Sequence, residues 1–200
     1  MSVSFAPSRR RLLQAAAGVG LSSLARPALA LGTIPAVVAA AKAGLARAGA
    51  RVAHRDLVGV ADFAPASRDA RLHLVDIENG KVTSLLVAHG RGSDPGHTGW
   101  LSRFSNAPGS DCTSEGAYLT GDYYTGQHGC SMRLAGLDPT NSNAEGRGIV
   151  VHSAWYVGPE VIRAHGMLGR SEGCFAVSAA DLPTVLTRLG PGRLLVATRL

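Results

Sequence analysis

The sequence predicts a β-rich α+β domain with one helix ahead of its strands. Three observations support this prediction: an alanine-rich segment at helical spacing over residues 34–52, short apolar runs between turn residues from position 56 onward, and Asn79-Gly80 between two of those runs. The chain has 200 residues and is 46% apolar, which suits one domain with a substantial core. Aromatic residues make up only 5%, so we expect that core to be aliphatic.

The first 30 residues have the three parts of an export signal. Residues 8–13 (SRRRLL) are basic and contain the paired arginines of a twin-arginine signal, residues 12–25 are apolar, and residues 28–30 (ALA) form a cleavage site. We therefore expect export to the periplasm or cell envelope, with a mature chain that starts near Leu31. The apolar run is too short to span a bilayer stably, so we expect no membrane span in the mature form; a retained anchor is the alternative.

The charge of the chain depends on whether this signal is counted. The net charge is +6, but residues 1–30 hold four arginines and no acidic residue. The remainder has 16 basic and 14 acidic residues, a net charge of about +2. So small an excess argues against nucleic acid as a partner.

Residues 31–55 are predicted as an N-terminal helix followed by a linker. Pro35 suits the first turn of this helix. Three runs that follow are predicted as strands: 56–63, 70–77 and 82–90. Because Asn79-Gly80 favours a tight hairpin between the last two, we expect an antiparallel meander.

Residues 56–200 are predicted as one domain, without internal repeats. Residues 91–114 are rich in glycine, serine and proline and lack periodicity, which is typical of a long functional loop. The remaining predicted strands are 116–124, 131–137, 148–157 and 192–200. The predicted helices are 159–166, between Pro159 and Gly166, and 178–189, where Ser178 and Asp181 resemble a capping box.

Three cysteines in an exported chain leave at least one thiol unpaired. One candidate disulfide joins Cys112 and Cys130, and it would contribute on the order of 3 kcal/mol. Cys174 would then be the free thiol. The alternative for Cys130 is a buried free thiol.

Cys174 has the partners that a nucleophilic cysteine needs, namely a base and donors for an oxyanion. The apolar run 149–151 ends at His152, which places an imidazole at the end of a core strand. In the segment GRSEGC (169–174), Ser171 and Gly173 permit a tight turn whose backbone N–H groups, including those of Gly173 and Cys174, could face a carbonyl oxygen. The structural alternative is that His152 is a satisfied core histidine and Cys174 a buried small hydrophobe.

These segments carry a family resemblance. HGCSMRLAGL (128–137), RGIVVHSAWYV (147–157) and GRSEGCFAV (169–177) resemble the murein L,D-transpeptidase catalytic domain, the YkuD-like family, over about residues 56–198. The resemblance implies a mixed β-sheet or sandwich with short helices. It also implies that His152 and Cys174 are catalytic, because they occupy the family's positions for the strand histidine and the Ser/Thr-x-Gly-Cys turn.

The chain departs from the family pattern at two places. Many members have histidine before the Gly-Cys pair and arginine or asparagine soon after it, whereas here Glu172 precedes Gly173 and Phe175-Ala176 follow Cys174. Ser153 follows His152 where glycine is common. QHGCSMR (127–133) superficially matches the commoner His-Gly-Cys form, but its nearest upstream histidine lies in a loop, so we interpret Cys130 as a look-alike.

The resemblance implies an acyl transfer on the peptide stems of peptidoglycan. Cys174 would attack the carbonyl of the third stem residue, release D-alanine and pass the acyl group to an amine, which could belong to another stem or to a cell-wall-attached protein. Candidate substrate contacts are Arg170, His128 and Tyr156. The alternatives are a carboxypeptidase or cross-link hydrolase of the same fold, and a non-catalytic cell-wall binding module. Neither a cofactor nor a metal site is predicted, since C-x-x-C and H-E-x-x-H spacings do not occur.

Overall fold

A computed structural model of the protein describes residues 1–2 and 33–200. The predicted export signal, residues 1–30, lies outside the described residues except for residues 1–2. Within the described part of the chain, no helix has the length and apolar character to cross a membrane.

Strands form most of the regular structure. They are β1 (Leu57–Asp62), β2 (Leu72–Asp76), β3 (Val82–Leu85), β4 (Gly116–Gly126), β5 (Gly129–Gly136), β6 (Val150–Ser153), β7 (Phe175–Val177) and β8 (Leu194–Thr198). The helices are α1 (Thr33–Ala48), α2 (Pro159–His165) and α3 (Leu182–Leu189), with 3-10 turns at Gly49–Arg51 and Arg91–Ser93. Each predicted strand and helix is confirmed, several with shorter bounds, and β7 is an additional strand.

The eight strands lie in one mixed sheet, in the order β3-β2-β1-β8-β4-β5-β6-β7. The first three form the predicted antiparallel meander. The last strand, β8, is inserted between β1 and β4 and runs parallel to β1. The sheet and its preceding helix confirm the β-rich α+β fold. At the far edge, β6 and β7 form a second parallel pair.

The centre of the sheet is buried on both faces. On one face α1 packs over Val58 and Val196, and on the other α3 packs over a larger core. This larger core is not purely aliphatic, which corrects the expectation from composition. Phe63, Tyr118 and Phe175 are fully buried in it, and the rings of Tyr118 and Phe175 meet edge to face at 5.3 Å. Three aromatic residues thus lie at the centre, whereas Trp100, Tyr123 and Trp155 are exposed.

The predicted loop 91–114 is held in place by hydrogen bonds between its own side chains and backbone. Asp94 is buried, and its carboxylate accepts hydrogen bonds from the backbone N–H groups of Thr98 and Gly99, both at 2.8 Å. Ser93 is also buried, and its hydroxyl accepts a hydrogen bond from the N–H of Thr113. Because its own polar side chains satisfy part of its backbone, this segment packs closely with no regular secondary structure beyond the 3-10 turn at Arg91–Ser93.

Candidate active site

The parallel pairing of β6 and β7 places His152 and Cys174 on the same face of the sheet. Val151 lies opposite Phe175 and His152 lies opposite Ala176. Cys174 immediately precedes β7, so in the same register it lies beside Val150. Since alternate residues of a strand face the same side, the thiol and the imidazole are diagonal neighbours on that face. Both line one open cleft of about 970 Å³.

His152 is oriented by a backbone carbonyl. The residue is 2% exposed, and its Nδ1 lies 2.9 Å from the carbonyl oxygen of Ser153. Because a carbonyl only accepts, Nδ1 carries the proton, and Nε2 of the neutral ring has a free lone pair. Burial is the main cause of a lowered pKa for His152, and the neighbouring His128 lowers this pKa further. The ring is therefore held as a neutral base.

Cys174 is a protonated thiol at rest. Burial raises the pKa of its thiol, and the negative charge of Glu172 adds to that effect. Sγ lies 3.5 Å from the carbonyl oxygen of Gly148, to which the thiol donates. A raised cysteine pKa and a lowered histidine pKa both favour a neutral thiol and imidazole over an ion pair. This differs from the thiolate–imidazolium pair that many cysteine nucleophiles adopt.

The turn before Cys174 is closed by the side chain of Ser171. Its hydroxyl donates to the carbonyl of Cys174 at 2.7 Å and accepts from the N–H of Gly173 at 3.1 Å. The N–H of Gly173 is therefore already committed, which corrects the expectation that it faces an oxyanion. Gly173 is needed for a different reason: its φ is 115°, and a Cβ there would lie 2.6 Å from the carbonyl oxygen of Cys112.

The turn is fastened to the chain segment 89–91. The N–H of Ser171 donates to the carbonyl of His89, and the N–H of Arg91 donates to the carbonyl of Ser171. Between them Gly90 lies so close that a Cβ would be 2.2 Å from the carbonyl oxygen of Asp111 and 2.8 Å from the backbone nitrogen of Gly173. Glycine at position 90 therefore lets two loops meet directly beneath the nucleophile.

Three buried polar side chains, those of Arg71, His89 and Asp94, support the segment 89–91. Arg71 is fully buried and donates to Nδ1 of His89 at 2.7 Å, and Nε2 of His89 faces Asp94 at 3.5 Å. Burial, and then the charge of Arg71, lower the pKa of His89 to about 4. His89 is thus a neutral structural residue that accepts from Arg71.

Arg170, His128 and Tyr156, the predicted substrate contacts, all line the cleft. Arg170 is partly used by the protein itself, because it donates to the backbone carbonyls of Asp94 and Pro95. Burial raises the pKa of Tyr156 to about 12, so its hydroxyl stays protonated.

Three charged residues that line the cleft, Arg91, Arg147 and Glu172, were not predicted as site residues. Arg91 contacts Asp111 at 2.9 Å and Glu172 at 3.1 Å, and it joins the nucleophile turn to the loop 91–114. Arg147 donates to the carbonyls of Ser105 and Cys112. Arg147 lies two residues before the apolar run 149–151, and that position was its signal in the sequence.

The structure corrects the predictions for Cys112 and Cys130. All three cysteines, each among the described residues, are free. Cys112 is buried beneath the nucleophile turn, whereas Cys130 is exposed on β5, next to the β4–β5 hairpin turn. The candidate disulfide is therefore not formed, and Cys130 is not a buried thiol. Nor does Cys130 line the cleft, whose lining includes Cys174.

A family model described as the L,D-transpeptidase catalytic domain (YkuD_2) matches residues 33–197. The chain belongs to this family. The match begins at α1 and ends within β8. Among curated proteins, none matches the chain.

Solved structures that resemble the chain are distant. An L,D-transpeptidase from Mycobacterium smegmatis is 15% identical with a TM-score of 0.43, over 71% of this chain and 58% of that one. L,D-transpeptidase 3 from Mycobacterium tuberculosis, in complex with a faropenem-derived adduct, is 15% identical with a TM-score of 0.46, over 72% and 60%. The helical cell shape determining protein Pgp2 from Campylobacter jejuni is 15% identical with a TM-score of 0.45, over 80% and 54%. The matched region thus spans about three fifths of these proteins.

Proposed function

We propose that the protein is a cysteine L,D-transpeptidase that acts on peptidoglycan stem peptides after export to the periplasm or cell envelope. Sγ of Cys174 attacks the carbonyl carbon of the third stem residue, so that a C–S bond forms and the C–N bond to the terminal D-alanine breaks. An amine of another stem, or of a cell-wall-attached protein, then attacks the thioester and restores the thiol. No cofactor takes part in this scheme.

The main support for the proposal is that His152 and Cys174 lie on the same face of the sheet and line one cleft. Since the resting pair is neutral, Nε2 of His152 accepts the thiol proton during attack and delivers it to the leaving D-alanine amine. In the second half, the same nitrogen takes a proton from the acceptor amine and returns it to the thiolate. The hydrogen bond from Nδ1 to the carbonyl of Ser153 stabilises the transient imidazolium.

The backbone N–H of Cys174 is the oxyanion donor that we propose. The neighbouring N–H of Gly173 is occupied by Ser171, so it is not available for this role. An oxyanion donor typically lowers the barrier by about 2.7–4 kcal/mol. Ser171 therefore acts by shaping the turn, because its hydroxyl holds the carbonyl of Cys174.

The composition of the cleft suits a peptide that carries both carboxylates and an amine. Arg91, Arg147 and Arg170 line it together with Glu172. Of the predicted contacts, Arg170 can offer its remaining N–H groups to a substrate carboxylate, and the protonated hydroxyl of Tyr156 can donate to a carbonyl. A volume of about 970 Å³ exceeds what one residue needs, so the donor stem and an acceptor can be held together.

Product analysis tests this function and separates it from its alternatives. A tetrapeptide muropeptide is incubated with the wild type, Cys174→Ala and Cys130→Ala, with and without an added amine acceptor, and the products are identified by mass spectrometry. With the acceptor present, we expect D-alanine release and an acceptor-containing product from the wild type and Cys130→Ala but not from Cys174→Ala. Release of D-alanine that is independent of the acceptor, with no coupled product, would indicate a carboxypeptidase. Tight binding of peptidoglycan without product would indicate a binding module.

A further inference from the structure

The two histidines at the edge of the cleft are stacked. The rings of His128 and His152 are 4.2 Å apart between centroids and inclined by only 19°. They come from different elements: His152 is on β6, whereas His128 lies with Gln127 in the turn that joins β4 to β5. The proposed reaction has so far used only one of these rings.

The shape of the β4–β5 hairpin places its turn beside His152. On its inner side, β5 pairs with β6, where Ser131 lies opposite His152. Between Thr120 and Tyr123, β4 contains a bulge, which bends a strand and increases its twist. The tip is closed as a two-residue turn between Gly126 and Gly129, and the φ of Gly129 is 75°.

The stack explains how a base can lie in an open cleft and still be shielded from water. His152 is only 2% exposed, whereas His128 is exposed to solvent. His128 therefore occupies the position that water would take over the outer face of His152. The stacked ring thus adds to the desolvation of His152, and the charge of His128 also lowers the pKa of His152.

We propose that His128 is a positioning residue for the catalytic base: its imidazole covers His152 and keeps that ring unprotonated, ready to accept the Cys174 proton. This inference rests on the proposed role of His152 as the base. It gives His128 a function through another side chain, in place of the substrate contact that the sequence predicted.

The other charged and titratable groups around the pair have partners or lie elsewhere in the cleft. From the loops, Arg91 is paired with Glu172, and Arg147 and Arg170 are bonded to backbone carbonyls. The remaining ionisable side chains that line the cleft are Cys174, Tyr124 and Tyr156. On β5, Arg133 stacks over Tyr124. Of the titratable residues, His128 is the one whose charge lowers the pKa of His152.

The test is the pH titration of the His152 Cε1–H signal by NMR in the substrate-free protein. His128→Phe keeps an aromatic ring on the base and removes the charge, whereas His128→Ala removes both. His165→Phe, an exposed position on α2, is the matched control. We expect the titration midpoint of His152 to rise by about one pH unit in His128→Phe. This is the size expected when two charges about 4 Å apart in a largely aqueous environment no longer interact. In His128→Ala, which also uncovers the ring, the midpoint should rise further.

The acid limb of the pH profile for D-alanine release gives a second measure. It should move to higher pH by the same amount in His128→Phe, while His165→Phe should follow the wild type. A His152 midpoint within 0.2 pH unit of the wild type in His128→Phe, on the order of measurement error, would overturn the inference. If the midpoint moves but no variant or wild type releases D-alanine, the stack acts as inferred and the proposed function is wrong.

Discussion

Gly90→Ala tests whether the nucleophile turn depends on the close meeting of two loops. The φ of Gly90 is −69°, so alanine can adopt its backbone conformation without strain. The obstacle is space, because the new Cβ would lie 2.2 Å from the carbonyl oxygen of Asp111 and 2.8 Å from the backbone nitrogen of Gly173. Both neighbours are backbone atoms, so the clash is relieved only if one of the loops moves by about 1 Å.

The expected magnitude follows from that displacement. Overpacking costs about 1–3 kcal/mol of stability, and a loss of 2 kcal/mol lowers the Tm of a domain of this size by about 4–8 °C. A misplacement of about 1 Å typically costs about 100-fold in rate, so kcat/KM should fall by about this factor while the protein stays folded. The assays are D-alanine release from a tetrapeptide donor and thermal unfolding followed by circular dichroism.

Gly146→Ala is the matched control, because the nearest atom to its Cβ would be the carbonyl oxygen of Asn143 at 3.8 Å. This variant should keep the rate and the Tm of the wild type. If Gly90→Ala also keeps the wild-type rate, the turn does not depend on the contact at position 90 and the reasoning is refuted.

Three further predictions concern Arg147, His89 and Cys174. Replacing Arg147 by methionine leaves carbonyls without their donor and should lower the free energy of unfolding by about 1–3 kcal/mol in urea titrations, whereas the exposed Arg163→Met should not. Burial and the charge of Arg71 lower the pKa of His89 to about 4, so the unfolded state binds more protons between pH 6.5 and 4. Stability should therefore fall as the pH decreases through this window, by up to about 3 kcal/mol, and the fall should be smaller in His89→Gln. Because burial raises the pKa of Cys174, its alkylation by iodoacetamide should be slower at pH 7 than that of a cysteine peptide and should keep rising above pH 9; a rate already maximal at pH 7 would indicate a resting thiolate.

Local sequence patterns were sufficient for seven of the eight strands and for the two residues proposed to react. The apolar run before His152 marks a core strand, and the glycine in GRSEGC marks a turn with φ of 115° at Gly173. The turn residues Asn79-Gly80 mark the β2–β3 hairpin, where Gly80 has a φ of 65°. In each case the signal lies within a few neighbouring residues.

Features that depend on distant parts of the chain were not predictable in this way. The strand β7 has only three residues, too few for any periodicity, and the insertion of β8 beside β1 joins opposite ends of the domain. The composition of residues 91–114 does not reveal that Asp94 fixes the loop from inside. Likewise, the exposure of Cys130 and the stacking of His128 on His152 follow from how the β4–β5 hairpin meets β6.

The covalent intermediate gives the most direct test of the central claim that Cys174 is the nucleophile. Wild-type protein is mixed with a tetrapeptide muropeptide, quenched in acid after short times, and its intact mass is measured before digestion and mapping of the modified peptide. The account predicts one added acyl group equal to the donor minus D-alanine, carried by Cys174 and absent from Cys174→Ala. An acyl group on Cys130, or D-alanine release by Cys174→Ala at the wild-type rate, would contradict it.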